Sequence, residues 1–281
     1  MEESWNVKLR RADQHIQEFE REFALFCAKT KAHAVVFEIQ ANPNLGQIVL
    51  CRLSLLGDES QWLSAIAGEV VFAVRSALDH MAVAFTSRQF ESKVEFPILE
   101  NRFANREDRR VDLFEERTQG IPEDVKAFLL RMQPFSKPQT MPSEILALLN
   151  KLCDRDKHRK LLVGWMRIKD PVILFSRTDG AELLRQRVFG IYEDGAEIFA
   201  RQVDQLPFDP SDPEMKVQAI GPVNVTLQGI PKEDGVWVLP GILTTLRHTV
   251  WRYLIKPMEA RLRHDTKLTD WEAALHTIID P

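Results

Sequence analysis

Two short stretches of the sequence place charged side chains and histidines inside otherwise apolar helical runs. The first is AVRSALDHMAVAF (73–85), which contains Arg75, Asp79 and His80, and the second is NKLCDRDKHRKLL (150–162). An imidazole exchanges protons near neutral pH, and a guanidinium binds a phosphate or a carboxylate through paired hydrogen bonds. These residue types suit acid–base chemistry on a phosphate ester, so the two stretches form the candidate site.

Helical geometry determines which of these side chains share a face. The apolar stripe of the first helix consists of Ile66, Val70, Val74, Leu78 and Phe85. Arg75 and Asp79 are four residues apart, so we expect them to form an ion pair on one flank of this stripe. His80 follows Arg75 by five residues, about 140° around the helix, and is expected near the opposite flank.

The second stretch places a carboxylate on an apolar face. The stripe of this helix, expected from about 142 to 161, consists of Ile145, Leu149, Leu152 and Val163. Asp156 falls on the centre of the stripe, and a buried carboxylate is costly unless it is paired. We therefore expect Arg75 to pair with Asp156 and Arg159 with Asp79 across two packed helices, while His158 points the opposite way.

This cluster has two interpretations. A buried network of Arg and Asp residues fixes the register of two helices without any chemistry, and this structural interpretation has the larger weight. Against it stands the density of the cluster, with two carboxylates, two guanidinium groups and two histidines in two short segments. Titratable groups with perturbed pKa values gather at functional sites.

Other chemistries have less support. A metal site built from Asp79, His80, Asp154 and His158 is conceivable, since Asp154 and His158 share a helical face. However, the sequence has no HExxH motif, and it also lacks a P-loop, a GxGxxG and a GxSxG motif. We therefore expect neither a metal nor a cofactor.

Composition places the chain among ordinary globular proteins. Its 281 residues are 44% hydrophobic and 28% charged, and the net charge of −4 gives no global attraction to nucleic acid. Three separated cysteines, Cys27, Cys51 and Cys153, form no CxxC pair, and we expect them to be small buried side chains. No apolar run approaches the ~18 residues of a membrane span, so a cytoplasmic protein is expected.

The hydrophobic pattern predicts an α+β fold. Residues 1–162 are expected to form a mainly helical region with a β-hairpin at about 34–55, and residues 163–281 a strand-rich region closed by a C-terminal helix. The resulting fold is a helical bundle with a hairpin, packed with a largely antiparallel β-sheet as one compact unit. Charged NREDRRVDLFEER (105–117) is interpreted as a solvated helix face. Basic RHTVWRYLIKPMEARLRH (247–264) is interpreted as a helix with a cationic face rather than as a nucleic-acid surface, and Pro257 marks a kink.

The segment RSALDH (75–80) fits the pattern of an Arg and a His separated by four to six residues and thereby resembles the HEPN superfamily of helical-bundle proteins. Many HEPN proteins are metal-independent ribonucleases in which Arg and His residues of two protomers meet at a dimer interface. The resemblance implies that Arg75 stabilises phosphate charge, that His80 is the general acid or base, and that the 2′-hydroxyl of RNA is the nucleophile. RSALDH together with the DKHR motif (156–159) is also similar to a widespread group of uncharacterised bacterial proteins of similar length.

Two functional hypotheses follow. The first is a HEPN-like, RNA-directed protein, a metal-independent ribonuclease that acts as a homodimer, with Asp79, Asp156, His158 and Arg159 supporting Arg75 and His80. The alternative is a non-catalytic binding or scaffold protein in which these clusters are a structural network between helices. Catalysis requires an accessible His80 near Arg75 of its own or a partner chain, whereas the alternative predicts that Arg75 and Asp156 are paired and dry.

Overall fold

The computed structural model describes residues 3–29, 33–54, 59–106, 109–136, 138–157, 163–193, 195–221, 223–227, 238–239 and 241–264. It confirms the predicted α+β class, with N-terminal helices, a hairpin, and antiparallel sheets in the C-terminal half. The chain divides into two compact units, each discontinuous in sequence. The helical unit comprises Met1–Glu18, Ala65–Leu162 and Pro240–Pro281, and the sheet unit comprises Phe19–Ser64 and Val163–Leu239.

The helices follow the predicted periodicity closely. They are α1 (Ser4–Lys29), α2 (Glu59–Ala84), α3 (Leu113–Arg117), α4 (Glu123–Arg131), α5 (Met141–Lys157), α6 (Gly241–Val250) and α7 (Lys256–His264). The predicted stripe of α2 is confirmed at Ile66, Val70, Val74 and Leu78, which are all buried, whereas Phe85 lies beyond the end of the helix and is half-buried. The stripe of α5 is buried at Ile145, Leu149 and Leu152, the described part of the helix extends to Lys157, and Val163 is the first residue of a strand.

Local structure explains where α5 begins and how the last helical segment accommodates a proline. Thr140 and Ser143 form a reciprocal cap at the start of α5, in which the N–H of Thr140 donates to Ser143 Oγ at 2.9 Å. Between α6 and α7 lies a π-helical turn that spans Trp251–Ile255 and ends two residues before Pro257. Proline lacks the N–H that an α-helix needs, and the wider turn lets the helical segment continue past Pro257. The predicted kink itself stays a prediction.

The charged stretch at 105–117 was expected to be a helix face, and this prediction was wrong for its first half. Phe103–Arg106 (β3) and Arg109–Asp112 (β4) form a two-stranded antiparallel hairpin, followed by α3. Contacts across the hairpin explain the difference. Arg102 donates from Nε to Asp112 at 2.8 Å, and the guanidinium of Arg110 lies 3.9 Å from the centre of the Phe103 ring.

Two antiparallel sheets make up most of the sheet unit. Their strands are β1 (His33–Asn42), β2 (Gly46–Ser54), β5 (Val163–Lys169), β6 (Val172–Arg177), β7 (Glu182–Arg187), β8 (Ile191–Glu193), β9 (Glu197–Gln202), β10 (Met215–Ile220), β11 (Val223–Leu227) and β12 (Val238–Leu239). The larger sheet has the order β7-β6-β10-β1-β2-β9 and the smaller β12-β11-β5-β8. The core of this unit includes Val49, Cys51, Ile173 and Phe175.

The predicted hairpin is formed by β1 and β2. Asn42 closes its turn, because the Oδ1 atom accepts the backbone N–H groups of Asn44 and Leu45. Gly46 follows with a φ of 75°, a conformation that glycine adopts without steric cost. The predicted C-terminal helix beyond His264 lies outside the described residues. Within the part of the chain that the structure describes, no helix is both long and apolar enough to span a membrane.

Candidate functional site

Arg75 and Asp79 form the ion pair that their spacing on α2 predicts. The Nη2 atom of Arg75 lies 3.1 Å from Oδ1 of Asp79, and Nε donates to Oδ2 at 3.3 Å. Only 18% of the Arg75 side chain is exposed, against 35% for Asp79. The pair therefore lies at the boundary of the helix core, as expected for polar groups flanking an apolar stripe.

Both members of the pair also bind the backbone of one residue, Phe96. Arg75 donates from Nη2 to the carbonyl oxygen of Phe96 at 2.7 Å, and Asp79 Oδ1 accepts the N–H of Phe96 at 3.0 Å. Phe96 is fully buried. Buried backbone groups require partners, and here two side chains of α2 supply both of them.

A third polar side chain continues this pattern along the same segment. Gln133 is fully buried at the end of α4, where Nε2 donates to the carbonyl oxygens of Pro97 and Leu129 at 2.9 and 3.0 Å. Its Oε1 atom accepts the N–H of Leu99 at 3.0 Å. The segment Val94–Leu99, which is buried except at Glu95 and which we call the VEFPIL segment, is thus held by side chains rather than by a neighbouring strand.

An open cavity of about 580 Å³ lies beside the VEFPIL segment in the helical unit. Its walls come from α2, α5, the start and end of α3, and residues 95–101. Among the described residues, five carboxylates line it, against two guanidinium groups. The acidic residues are Asp79, Glu95, Glu100, Asp154 and Asp156, and the basic residues are Arg75 and Arg117.

The charges in the cavity are only partly neutralised. Asp79 is paired with Arg75, but none of the other four carboxylates has a hydrogen bond or an ion pair within the part of the chain that the structure describes. Burial raises the pKa of Asp79 above its usual value, because desolvation outweighs the attraction of Arg75 and the hydrogen bond from Phe96. The described lining of the cavity is therefore polar, with more acidic than basic side chains.

The prediction that Asp156 is buried and paired with Arg75 was wrong. Asp156 is exposed in the last turn of α5, and the partners of Arg75 are Asp79 and Phe96. Asp156 instead lies against the backbone of α2 at Gly68. A Cβ atom at residue 68 would be only 2.7 Å from Oδ1 of Asp156, so the carboxylate occupies space that only a glycine leaves free.

His80 is exposed and has different surroundings from Arg75. Its Nδ1 atom forms a hydrogen bond with Ser4 Oγ at 3.0 Å, and His80 does not line the cavity. Within one chain, the structure does not bring the predicted catalytic pair, Arg75 and His80, into one pocket.

Several other predicted site residues can be placed only in part. His158 and Arg159 lie outside the described residues. Two predictions that depend on them, the pairing of Arg159 with Asp79 and the metal site formed by Asp154 with His158, therefore lie outside them as well. Asp154 lines the cavity, away from the surroundings of His80. Among the described residues, no three metal-ligating side chains are grouped so that they could hold an ion.

The basic run at 247–264 consists largely of paired arginines. Arg247 binds Asp13 at 2.6 Å, Arg261 binds Asp124 at 2.8 Å, and Arg263 binds Glu259 at 2.6 Å. Such pairs reduce the positive charge available to a phosphate backbone. The structure therefore favours the interpretation of this run as a helix with a cationic face.

The thiols differ in their surroundings. Cys51 is fully buried in the core of the sheet unit, and burial raises the pKa of its thiol to about 12. A thiol with so high a pKa is inert as a nucleophile at neutral pH. Cys153 is half-buried and lines the cavity, whereas the side chain of Cys27 lies outside the described residues.

Sequence reasoning missed several residues that build this site. Phe96 and Gln133 lie far along the chain from Arg75, and Glu95, Glu100 and Arg117 reach the cavity from irregular segments or a short helix. Gly68 was the one usable signal, because a glycine inside an apolar helical run needs a packing reason.

Comparison of the chain with protein-family models, with curated proteins and with solved structures finds no match.

Proposed function

We propose that this chain is a non-catalytic binding protein whose cavity in the helical unit holds a small polar ligand. The observation that carries the proposal is the engagement of Arg75. Its guanidinium binds Asp79 and the carbonyl of Phe96 and is largely shielded from solvent. A guanidinium used in this way braces the VEFPIL segment, which forms one wall of the cavity, so its Nε and Nη2 groups are already engaged and are not free to stabilise a phosphate.

The cavity itself has the properties of a ligand site. Its volume of about 580 Å³ lies within the range of small-molecule sites, roughly 300–1,000 Å³. Charged and polar side chains line it together with a smaller number of apolar ones, and the brace fixes the wall before any ligand binds. A preformed wall lowers the entropic cost of binding, which supports recognition as the role of this site.

A matched set of four-carbon probes tests binding. We would titrate the full chain with 1,4-diaminobutane, succinate and 1,4-butanediol and follow backbone amide shifts by NMR. The proposal expects at least one probe to shift residues of the VEFPIL segment with a saturable curve. Asn101→Trp, which adds bulk at the cavity, should weaken that binding about tenfold or more, a loss of about 1.4 kcal/mol.

Asn105→Trp is the matched control, because Asn105 is also exposed but lies outside the cavity lining. It should leave the affinity unchanged. If none of the three probes binds, or if both tryptophan variants weaken binding equally, the proposed function is overturned.

A second candidate is the metal-independent ribonuclease that the HEPN resemblance implies, with RNA as substrate and a homodimer as the active form. One observation favours it: His80 is exposed, and its hydrogen bond to Ser4 uses Nδ1, which leaves Nε2 for proton transfer. The test is cleavage of RNA in EDTA by the wild type, His80→Ala and Arg75→Ala, each checked for folding. Cleavage that is lost in both folded variants supports this candidate, and absence of cleavage by the wild type overturns it.

A further inference from the structure

Phe189 lies at an irregularity in the pairing of two neighbouring segments of the sheet unit. Val172 pairs with Arg187, and Lys169 pairs with Ile191. One segment thus has two residues between these pairs, whereas the other segment has three. The surplus residue makes this part of the ladder a β-bulge, an irregularity that changes the direction of a side chain.

The hydrogen bonds identify Phe189 as the surplus residue. Val188 donates its N–H to the carbonyl oxygen of Pro171 at 2.9 Å, and Asp170 donates its N–H to that of Gly190 at 2.7 Å. These bonds match each of the two residues of one segment with a residue of the other and leave Phe189 without a residue opposite. Its side chain is 73% exposed, the highest value among the large hydrophobic residues that the structure describes.

Hydrogen bonds and unusual backbone angles fix the bulge. Oδ1 of Asp170 accepts the N–H of Gly190 at 2.8 Å, and Tyr192 donates its hydroxyl to the carbonyl oxygen of Phe189 at 3.0 Å. Asp170 has a φ of 46°, which a residue other than glycine adopts at some cost, and Gly190 has a φ of 138°. A Cβ atom at residue 190 would also lie 3.2 Å from the Tyr192 hydroxyl. The fold thus uses a strained residue and a glycine to hold an apolar ring in water.

Further apolar side chains are exposed next to Phe189. Ile191 is 48% exposed and Ile220 is 41% exposed. Ile220 pairs with Val172, which in turn pairs with Arg187, so these three residues form one row across β10, β6 and β7. Residues opposite each other in such a row have Cβ atoms about 4.5–5.5 Å apart. Since the guanidinium of Arg187 lies 5.1 Å from the centre of the Phe189 ring, the row continues to the bulge. We call Phe189, Ile191 and Ile220 the Phe189 patch.

Unpaired cations surround the Phe189 patch, although the whole chain has a net charge of −4. Lys169, Arg187 and Lys216 are exposed, and none of them forms an ion pair within the described residues. Lys169 is the cross-strand partner of Ile191. Lys216 lies on the same face of β10 as Ile220, because side chains of a strand alternate between two faces.

The acidic side chains that the structure describes beside these cations are already engaged. Glu182 binds Arg185 at 2.8 Å, and Asp170 binds the bulge through Oδ1. The unpaired charge that the structure describes around the patch is therefore positive, and its complement is an anionic surface.

We infer that the Phe189 patch docks the sheet unit on an anionic phospholipid bilayer. An exposed aromatic ring enters the boundary between head groups and acyl chains, while lysine and arginine side chains reach the lipid phosphates. A bilayer needs no pocket of matching shape, so it accepts a ring that a bulge directs outward from a sheet. The inference concerns the sheet unit alone and is independent of the cavity and of its proposed ligand.

Flotation with lipid vesicles tests the inference on the full chain. We would compare vesicles of phosphatidylcholine with vesicles that also contain about 30% phosphatidylserine, at low salt. The wild type should partition onto the anionic vesicles at least about tenfold more strongly than onto the neutral ones, as expected for two or more cations near the surface. Phe189→Ser should lower the partition coefficient about tenfold or more, because the ring no longer leaves water. Phe189→Trp should retain binding, since an indole ring suits the interface.

Matched controls separate the patch from the rest of the surface. Leu45→Ser removes an exposed apolar side chain at the turn of another hairpin of the same unit and should leave partitioning unchanged. Lys169→Gln should weaken partitioning about three- to fivefold, whereas Lys151→Gln, at an exposed position of α5, should have no effect. Circular dichroism verifies that each variant is folded.

Several outcomes would overturn the inference. They are no flotation of the wild type with anionic vesicles, equal partitioning onto neutral vesicles, and equal losses in Phe189→Ser and Leu45→Ser. Competition by millimolar phosphoserine, which has the head-group charge without acyl chains, would show that the patch binds a free phosphate instead. Size-exclusion chromatography without lipid supplies the last test, because a dimer that Phe189→Ser converts to a monomer would make the patch a contact between two copies of the chain.

Discussion

Asp79 accepts the backbone N–H of Phe96 at 3.0 Å, across 17 residues of sequence. The carboxylate therefore has a role that its helix position alone does not reveal. Together with Arg75, it supplies the hydrogen bonds that a strand would otherwise give to a buried residue. This relationship explains why a core helix contains two charged side chains, and it determines how the helical unit should respond to substitution.

Removal of the Asp79 carboxylate should destabilise the helical unit. In Asp79→Ala the buried N–H of Phe96 loses its acceptor and Arg75 loses its counter-charge, so we expect a loss of about 2–4 kcal/mol in the free energy of unfolding. Asp79→Asn retains an acceptor oxygen and should lose less. Urea unfolding measures both values. Glu69→Ala, at an exposed position of the same helix, should change stability by less than about 0.5 kcal/mol, and an equal loss in this control would contradict the assignment.

The ionisation of Asp79 should make stability depend on pH with a definite sign. Its pKa is raised in the folded protein, first by desolvation and further by Glu95, against the opposing effects of Arg75 and Phe96. The folded state therefore binds the proton more tightly than the unfolded chain, in which the pKa is about 3.9. The stabilising contribution of the protonated form is present below that value and is lost as the pH rises through the folded pKa.

The free energy of unfolding of the wild type should thus fall relative to that of Asp79→Asn between about pH 4 and the pKa of Asp79 in the folded protein. Above that pKa, the difference between the two free energies should be constant. Paired urea titrations of the two proteins from pH 3 to 7 cancel the contributions of groups that both share. A wild type that gains stability relative to the variant over this window would show that attraction by Arg75 dominates desolvation.

Gln133 should be as important for the VEFPIL segment as the ion pair. Gln133→Leu preserves the approximate volume but leaves the Leu99 N–H and the Pro97 carbonyl without their partner, so a loss of about 2–4 kcal/mol is expected. Hydrogen exchange at the amide of Leu99 should accelerate as well. The control is Gln119→Leu at an exposed position. Unchanged exchange at Leu99 in a folded Gln133→Leu protein would show that the segment is held by packing alone.

Regular periodicity allowed much of the fold to be predicted from the sequence. The stripe of α2 and the i,i+4 pair of Arg75 and Asp79 depend only on helical geometry, which repeats every few residues. The two strands around NPNLG were recognisable because β-branched runs flank residues that favour turns. These features are local, and local features are recorded directly in the sequence.

The remaining parts of the site depend on contacts that no local pattern specifies. Phe96 meets Arg75 from 21 residues away, and Gln133 meets Leu99 from 34 residues away, in a segment without regular structure. Asp156 was misplaced for a related reason. The periodicity places Asp156 on the buried stripe, but this position is exposed in the last described turn of α5.

The contact between Gly68 and Asp156 gives the sharpest test of how the cavity is built. Gly68→Ala adds a Cβ atom 2.7 Å from Oδ1 of Asp156 and forces the carboxylate to move. In an Asp156→Ala background that obstacle is absent, so Gly68→Ala should stabilise the protein by about 1 kcal/mol through helix propensity alone. In the wild-type background, Gly68→Ala should increase the free energy of unfolding by a smaller amount. The difference between the two increases measures the coupling between Gly68 and Asp156. A double-mutant cycle by urea unfolding provides all four values, and equal effects of Gly68→Ala in both backgrounds would show that Asp156 does not need the space.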